Sequence, residues 1–358
     1  MAADVPSARV PAVPLVSVVL PVYNGADVLG EAIDSVLGQT YPRIELVVVN
    51  DGSTDETAKV MAAYGDRITA VHQANQGLAG ARNAGFTRAT GDYIAWADHD
   101  DVWLPAKISL QVAFMQEHPE CSVVATDFSA FDAEGFFDRS HAATYYSAIA
   151  KRGLSTIFPE RVMLATGDLA VTSPTLPEAL PVFTGRIDRA LILGNCLHPP
   201  TVMMRRAAAV AAGTSEKRFG NDVDYEYLLR VTKTGDAAFI DYPLIRYRYS
   251  AGQLSGDKNL AKIAISLVTV LEDLAEKDPS LRHDPTFARR LATSHLRAAA
   301  ALAEAQRAPA LRHLVRSIRA GGVVDSAETA RALAKMVLPR SVVARYRAIT
   351  AARRAAAD

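Results

Sequence analysis

Three aspartates lie within four positions, at Asp98, Asp100 and Asp101, directly after the apolar residues 93–97. Like charges at this spacing repel, and each carboxylate needs water or a partner. A hard divalent cation bound through oxygen would satisfy the first and third carboxylates of this Asp-X-Asp pattern at one site. The same acids could instead form a solvated loop that caps the next helix, whose first turn would suit Pro105. The pattern alone leaves both interpretations open.

Composition excludes several classes of protein. The 358 residues suffice for more than one ordinary domain and a large core. Lys+Arg and Asp+Glu both number 39, so no excess of positive charge points to nucleic acid. Cys121 and Cys196 are too few for a disulfide framework, which favours a reducing, cytoplasmic environment. No apolar run is long enough to predict a membrane-spanning helix, and residues 1–14, which lack the order of a signal peptide, are expected to form a flexible leader.

Strand-like and helix-like segments alternate over the first third of the chain. The expected strands, by length and β-branched content, are residues 15–22, 44–49, 68–72 and 93–97. The expected helices, by apolar spacing, are residues 28–37, 54–64 and 107–117, with another following the Gly-rich residues 75–85. This alternation predicts an α/β fold with a mostly parallel sheet flanked by helices.

Polar residues follow three of the predicted strands, at Tyr23-Asn24, residues 50–53 and residues 98–100. Parallel α/β sheets bind ligands at the carboxyl ends of their strands, so these residues predict one ligand site. Residues 21–25 read PVYNG where a nicotinamide-binding domain would have Gly-X-Gly-X-X-Gly, and the chain has no Gly-rich loop ending in Gly-Lys-Ser/Thr. A bound nucleotide would therefore be held by side chains and a metal.

Several motifs in order resemble those of family 2 glycosyltransferases of the GT-A fold. They are VSVVLPVYN ending at Asn24, VVNDGSTD at residues 48–55, and NQGLAGARNAGFTRATGDYIAWADHDD at residues 75–101. The resemblance extends over about residues 15–255. It implies a Rossmann-like domain, residues 15–256, that moves a sugar with inversion from a nucleotide-diphosphate sugar, with a UDP-sugar as the expected donor. The implied acceptor is a hydroxyl of a glycan or lipid-linked saccharide, as in cell-surface polysaccharide synthesis.

The resemblance also assigns residues to the donor within residues 15–127. Asp51 matches the acid that reads the base, where its carboxylate would accept the imide N–H of uracil. Pro21 and Tyr23 would lie beside base and ribose, and Asn24 and Gly52 are also assigned to donor binding. The alternatives are turn roles, for Asp51 in Asp-Gly-Ser and for Asn24 after the first strand.

The diphosphate and the cation are assigned to the segments that follow. Arg82 and Asn83 fall where relatives approach the diphosphate, although Arg82 could instead be a solvated surface charge. The resemblance implies that Asp100 ligates Mn²⁺ or Mg²⁺, while Asp98 touches ribose or the metal directly or through water. Asp101 would brace the loop or approach the donor sugar. His99 occupies a variable position and is not expected to be a ligand.

The resemblance places the catalytic base at Asp222, within FGNDVDYEYLLR at residues 219–230. One carboxylate would take the proton of the acceptor hydroxyl as its oxygen attacks the anomeric carbon. The alternative role of Asp222 is an N-cap for a helix over residues 223–231, and Asp224 is expected to be structural.

Two positions depart from the family pattern: Asn221 replaces a glutamate, and Ser250 stands where histidine is common. Water or diphosphate oxygens would then complete the metal shell. These departures motivate an alternative function, a catalytically weak or inactive nucleotide-sugar-binding protein. A sugar-nucleotide pyrophosphorylase would need a Gly-rich, Arg/Lys-bearing loop after the first strand, which is missing.

The remaining sequence is assigned more broadly. Residues 128–195 are expected to form an irregular excursion that carries the acceptor pocket, within an acceptor and catalytic half at residues 128–256. Residues 257–358 predict a helical region, with helices at residues 261–275, 286–305, 311–319 and 327–334. Its basic end, residues 336–354, could lie peripherally on the inner face of the cell membrane. The alternative is a helical appendage that packs on the catalytic domain or forms a dimer.

Overall fold

Parallel strands and helices alternate through the amino-terminal part of the protein. The computed structural model describes residues 13–167, 176–250, 259–303 and 305–320. The first elements are β1 (Val16–Val22), α1 (Ala26–Leu37), β2 (Ile44–Asp51), α2 (Thr57–Ala62), β3 (Thr69–Gln73), α3 (Gly77–Arg88), β4 (Tyr93–Trp96), β5 (Val102–Trp103) and α4 (Lys107–Glu117). β1 pairs in parallel with β2 and β4, and β2 pairs in parallel with β3. Every residue of β1 is buried, as expected of a parallel strand covered on both faces.

The later strands make the sheet mixed. The next elements are β6 (Cys121–Asp132), β7 (Gly135–Asp138), α5 (Ala142–Tyr145), α6 (Ser147–Arg152), α7 (Leu154–Ile157), β8 (Glu160–Ala165), β9 (Ala179–Gly185), α8 (Asp188–Ile192), β10 (Met203–Arg205), α9 (Arg206–Ala212), α10 (Val223–Val231) and β11 (Asp236–Arg248). The strand order is β3-β2-β1-β4-β10-β6-β11-β9-β8, with β5 beside β11 and β7 beside β6. β10 runs antiparallel between β4 and β6, whereas β6 and β11 are parallel. The predicted α/β class, with parallel strands and flanking helices, is confirmed.

Two expectations about local structure are wrong. The Gly-rich residues 75–85 do not precede a helix, because α3 itself begins at Gly77. Gly85 of this helix serves packing, because a Cβ there would lie 2.4 Å from Cγ1 of Val19 in β1. Residues 128–195 are not irregular where the structure describes them, since they contain strands and short helices. β9 was missed because Pro181 weakens its strand signal, and its pairing partners in β8 and β11 lie elsewhere in the chain.

The described residues divide into two compact units. The first holds those up to Lys217 together with Tyr227–Ser250, and the second holds Arg218–Glu226 with those after Ser250. Within the second unit, Arg218 Nη2 lies 2.7 Å from Asp273 Oδ1, and the backbone N–H of Asn221 donates to Ser266 Oγ at 3.0 Å. The segment that carries Asp222 is thus grouped with the carboxyl-terminal helices rather than with the sheet.

After Ser250, the described part of the second unit contains three α-helices. They are α11 (Leu260–Lys277), α12 (Pro285–Leu302) and α13 (Arg307–Arg319). Asp284 caps α12 by accepting hydrogen bonds from the backbone N–H groups of Thr286 and Phe287, both at 2.8 Å. The predicted carboxyl-terminal helices are confirmed up to Arg319. The helix predicted at residues 327–334 and the basic end of the chain lie outside the described residues. Among the helices that are described, none is both long and apolar enough to cross a membrane.

Candidate active site

The loops after β1 and β2 are joined by Asn24. This residue has a φ of +52°, in the left-handed region that asparagine tolerates better than most residues. Its backbone N–H donates to Ser53 Oγ at 2.9 Å, and its Oδ1 accepts from the backbone N–H of Thr54 at 2.8 Å. Asn24 therefore acts as a turn residue that fixes two strand ends against each other. The neighbouring Tyr23 is 48 % exposed, so its ring is accessible to a ligand.

Asp51 ends β2 and organises the start of α3. Its Oδ1 accepts from Gln73 Nε2 at 2.7 Å and from the backbone N–H of Gln76 at 2.8 Å, and its Oδ2 accepts from the backbone N–H of Gly77 at 2.8 Å. The carboxylate is buried and lies at a helix N-terminus, where negative charge is favoured. Two oxygens offer roughly four lone pairs, so these three bonds leave room for about one more donor.

Glycine is required beside Asp51. Gly52 has a φ of +75°, and a Cβ at this position would lie 2.7 Å from the backbone nitrogen of Asn75. A side chain here would therefore be strained and would collide with the segment before α3. The structure thus explains why glycine stands here, while the assignment of Gly52 to the donor-binding loop stays a prediction from the resemblance.

Arg82 is buried, not solvated. Its guanidinium carbon lies 4.0 Å from the ring centroid of Trp96 at the end of β4, and its Nη2 lies 3.3 Å from Asp98 Oδ1. The side chain is only 2 % exposed. The alternative of a surface charge is therefore wrong, because the sequence could not show that Trp96 lies under this helix. Arg82 instead pairs with the Asp98 carboxylate and fixes its orientation.

Arg82→Met is expected to destabilise the protein by about 2 kcal/mol or more, because it removes a desolvated cation–π contact and a charged hydrogen bond. Arg82→Lys should lose less, since it keeps the charge but not the planar fork. Urea denaturation followed by circular dichroism measures both. Unchanged unfolding midpoints in both variants would show that the stacked pair contributes nothing to the fold.

Asn83 is held by backbone groups. Its Nδ2 donates to the carbonyl oxygen of Ser215 at 2.9 Å, and its Oδ1 accepts from the backbone N–H of Ser215 at 2.8 Å. These two bonds tie α3 to the residues after α9. The resemblance implies that Asn83 contacts the donor. We propose instead that Asn83 acts indirectly, by holding α3 in position.

Arg248 at the end of β11 braces the acidic loop. Its backbone N–H donates to Asp101 Oδ1 at 3.0 Å, its Nε donates to the carbonyl oxygen of Asp100 at 2.9 Å, and its guanidinium also pairs with Glu31. Asp101 is 1 % exposed, which suits the bracing role rather than contact with a sugar. Arg248 was missed from the sequence, although it lies within the Tyr-Arg stretch that precedes Ser250.

Burial and mutual repulsion raise the pKa values of two of the three acids, Asp100 and Asp101. Burial, and then repulsion from Asp100 and Asp98, raises the pKa of Asp101 well above its ordinary value. Burial also raises the pKa of Asp100, with repulsion from Asp98 adding to it and with His99 and Arg248 opposing it. A bound cation would relieve this repulsion. The ring of His99 packs closely on Gly25, where a Cβ would meet its Cδ2 at 2.4 Å.

The oxygens of Asp98 and Asp100 fit a hard cation. Both residues are half-buried, with Asp98 Oδ1 already paired to Arg82. Within the described residues, no group of three or more histidines, cysteines, aspartates or glutamates is arranged to hold a metal ion alone. Two carboxylates with water and diphosphate oxygens make the shell that Mg²⁺ accepts, because it keeps several waters and binds substrate phosphates.

Asp222, the residue to which the resemblance assigns the catalytic base, lies in the second unit. Burial raises its pKa to about 7, with Arg290 lowering it and Asp224 raising it further. Its Oδ2 has no hydrogen-bond partner among the described residues. Beside it, Gly220 has a φ of +52°, and a Cβ there would lie 2.5 Å from Ser266 Oγ. A carboxyl group whose pKa lies near neutral pH can accept a proton during catalysis.

Comparison with solved structures identifies the fold. The fold aligns with TarS of Staphylococcus aureus, residues 1–349 in complex with UDP-GlcNAc, with a TM-score of 0.58 at 16 % identity over 90 % of this chain and 88 % of that one. It aligns with the mannosyltransferase PcManGT of Pyrobaculum calidifontis, in complex with GDP-Man and Mn²⁺, with a TM-score of 0.53 at 19 % identity over 90 % and 86 %. At these identities the likeness shows the fold alone, which is the GT-A fold.

Sequence comparison then shows which family part of the chain resembles. Residues 17–174 match the model of glycosyl transferase family 2. The putative teichuronic acid biosynthesis glycosyltransferase TuaG of Bacillus subtilis is 37 % identical over 145 residues, 38 % of this chain and 57 % of that protein. The uncharacterized glycosyltransferase RP339 of Rickettsia prowazekii is 48 % identical over 104 residues, 29 % of this chain and 33 % of that protein. The chain spans a third or less of the rickettsial relatives. Over residues 17–174, less than half of its length, the chain is thus similar to glycosyl transferase family 2.

Proposed function

We propose that the protein is an inverting, metal-dependent glycosyltransferase that moves a sugar from a UDP-sugar to a hydroxyl of a glycan or lipid-linked saccharide. The observation that carries the proposal is the set of polar groups at the carboxyl ends of β1, β2 and β4, built around Asp51, Asp98 and Asp100. Relatives support the donor class, because TarS is in complex with UDP-GlcNAc and PcManGT with GDP-Man and Mn²⁺. TuaG, named for teichuronic acid biosynthesis, supports a polysaccharide acceptor.

In the proposed reaction, residues at the strand ends bind the donor. Tyr23 packs against the base or ribose, and Asp51 accepts one further hydrogen bond from the base. Arg82 keeps Asp98 in place, while Arg248 keeps Asp100 and Asp101 in place. Asp98 and Asp100 would hold Mn²⁺ or Mg²⁺, which when bound supplies positive charge to the departing diphosphate.

Asp222 would act on the acceptor. As the acceptor oxygen forms its bond to the anomeric carbon, the bond from that carbon to the diphosphate oxygen breaks on the opposite face. The acceptor proton passes to Asp222, and the nucleoside diphosphate leaves as the anion. One displacement of this kind inverts the configuration at the anomeric carbon.

A second candidate function is a catalytically weak or inactive nucleotide-sugar-binding protein. Asn221 and Ser250, which replace acidic and histidine positions of the family pattern, favour it. In either case the basic residues 336–354 could give the protein peripheral contact with the anionic inner face of a membrane, and the helical region could support an oligomer.

A donor panel decides between the two functions. UDP-glucose, UDP-galactose, UDP-GlcNAc and GDP-mannose are titrated calorimetrically with Mn²⁺ present, and the tightest donor is then incubated with saccharide acceptors. Transfer with release of the nucleoside diphosphate supports the glycosyltransferase. Tight binding of a donor without transfer to any acceptor would favour the binding protein, and no binding of any donor would contradict both.

A further inference from the structure

Three polar side chains next to the end of β11 form a hydrogen-bonded chain. His141 Nδ1 lies 2.6 Å from Asp138 Oδ2, and His141 Nε2 lies 3.0 Å from the hydroxyl oxygen of Tyr249. Asp138 as a carboxylate can only accept, so Nδ1 donates to it. In a neutral imidazole Nε2 then carries a lone pair and accepts from Tyr249. With this tautomer, the phenol hydrogen points to His141 and the lone pairs of the phenol oxygen are available to a ligand.

The ring of Tyr249 belongs to an exposed aromatic surface. Tyr249 is 38 % exposed, and Phe137 of β7 is 53 % exposed. Phe137 and Tyr249 meet edge to face, with centroids 5.0 Å apart. We call Phe137 and Tyr249 the aromatic rim. Large aromatic side chains exposed together on one surface commonly mark a binding site.

The aromatic rim rests on a rigid base. The backbone N–H of Tyr249 donates to the carbonyl oxygen of Phe131 at 2.8 Å, which continues the pairing of β11 with β6. Below it, the buried Tyr247 lies 5.2 Å from the Tyr249 ring. Asp127 Oδ1 accepts from the backbone N–H of Ala142 at 3.0 Å, next to His141. The phenol is therefore held in one orientation before any ligand binds.

The aromatic rim adjoins the acids of the candidate active site. Arg248, the residue before Tyr249, donates to both Asp100 and Asp101. Burial, with Tyr145 and Asp138 adding to it, raises the pKa of Tyr249, so the phenol stays protonated at neutral pH. It can orient a ligand by hydrogen bonding but is no base.

We propose that the aromatic rim is the acceptor subsite of the transferase. A saccharide packs the C–H face of one ring on Phe137 and Tyr249 and donates a hydroxyl hydrogen to the Tyr249 oxygen. Such a surface has the two features that a sugar ring needs, an apolar wall and a fixed polar group. Tyr249 is a binding residue in this proposal, whereas His141 and Asp138 are positioning residues that act through it. The proposal rests on the transfer function proposed above.

Binding to the aromatic rim is tested on the full chain by saturation-transfer difference NMR. The probes are octyl β-glycosides of glucose, galactose and N-acetylglucosamine, with octanol as the control for the alkyl chain. We expect saturation of ring protons in the wild type, roughly tenfold weaker affinity in Phe137→Ala, and about three- to tenfold weaker affinity in Tyr249→Phe. Tyr41→Phe is the matched control, because it removes a hydroxyl that donates to the carbonyl oxygen of Pro14, just before β1. Equal binding by wild type and both rim variants, or binding of no glycoside by the wild type, overturns the proposal.

A kinetic measurement separates this proposal from the proposed function. With a glycoside that accepts sugar, Tyr249→Phe and His141→Gln should raise the KM for the glycoside about three- to tenfold, while the calorimetric Kd for the donor stays unchanged. Transfer with an unaltered acceptor KM in both variants would support the glycosyltransferase function and contradict the assignment of the aromatic rim as the acceptor subsite. If binding depends on Phe137 and Tyr249 but no transfer occurs, the transfer function fails and the saccharide site stands.

Discussion

Asp222→Asn is expected to reduce sugar transfer by about 10²- to 10⁴-fold while leaving calorimetric binding of the donor unchanged. The amide keeps the shape of the side chain but cannot take the proton of the acceptor. Because burial raises the pKa of Asp222 to about 7, the wild-type rate should rise about tenfold per pH unit below 7 and level off above it. The base must be deprotonated to act, so the rate falls as the pH falls below the pKa of Asp222.

Neighbouring residues provide matched controls for this pH profile. Asp224 raises the pKa of Asp222 and Arg290 lowers it. Asp224→Asn should therefore move the acidic limb to lower pH, and Arg290→Met should move it to higher pH. Full turnover by Asp222→Asn, or a limb that neither neighbour shifts, would contradict the assignment of the base.

The same residue should show a trade-off between activity and stability. The pKa of Asp222 is raised in the folded protein, so the folded state binds more protons than the unfolded state as pH rises from about 4 to 7. The contribution of Asp222 to stability is then present at low pH and is lost as pH rises through 7. Asp222→Asn should consequently unfold at a higher denaturant concentration than the wild type at pH 8.

Asp100→Asn is expected to lower turnover by about 10²- to 10³-fold, in line with the several kcal/mol that a bound cation supplies to a leaving phosphate. Calorimetric affinity for Mn²⁺ in the presence of UDP should fall in parallel. Asp66→Asn is the control, since Asp66 is an exposed acid of the first unit. A chelator should abolish wild-type turnover, and added Mn²⁺ or Mg²⁺ should restore it.

The unfolding midpoint of Asp100→Asn distinguishes loss of the metal site from misfolding. Burial raises the pKa of Asp100, so its charge is unfavourable in the folded protein without a cation. Removal of the charge should leave the unfolding midpoint equal to or above that of the wild type. Undiminished Mn²⁺ affinity in a folded Asp100→Asn protein would exclude Asp100 as a ligand.

Local sequence determined the secondary structure of the amino-terminal part and the carboxyl-terminal helices. The helix predicted at residues 107–117 is α4 residue for residue, and the strand expected at residues 44–49 lies within β2. These elements follow from apolar spacing and β-branched runs, which neighbouring residues encode. The position of the polar clusters at the strand ends followed as well, because a parallel sheet brings its carboxyl ends to one edge.

Tertiary structure alone decided which of those polar groups are buried and what they contact. Arg82 stacks on Trp96, and Asp101 is braced by Arg248, which lies 147 residues away in the chain. The chain of Asp138, His141 and Tyr249 likewise joins β7 to the end of β11. Such contacts depend on which strands become neighbours, and strand pairing is set by packing across the whole sheet rather than by local residue preference. For that reason the acids could be located from the sequence, whereas the residues that position them could not.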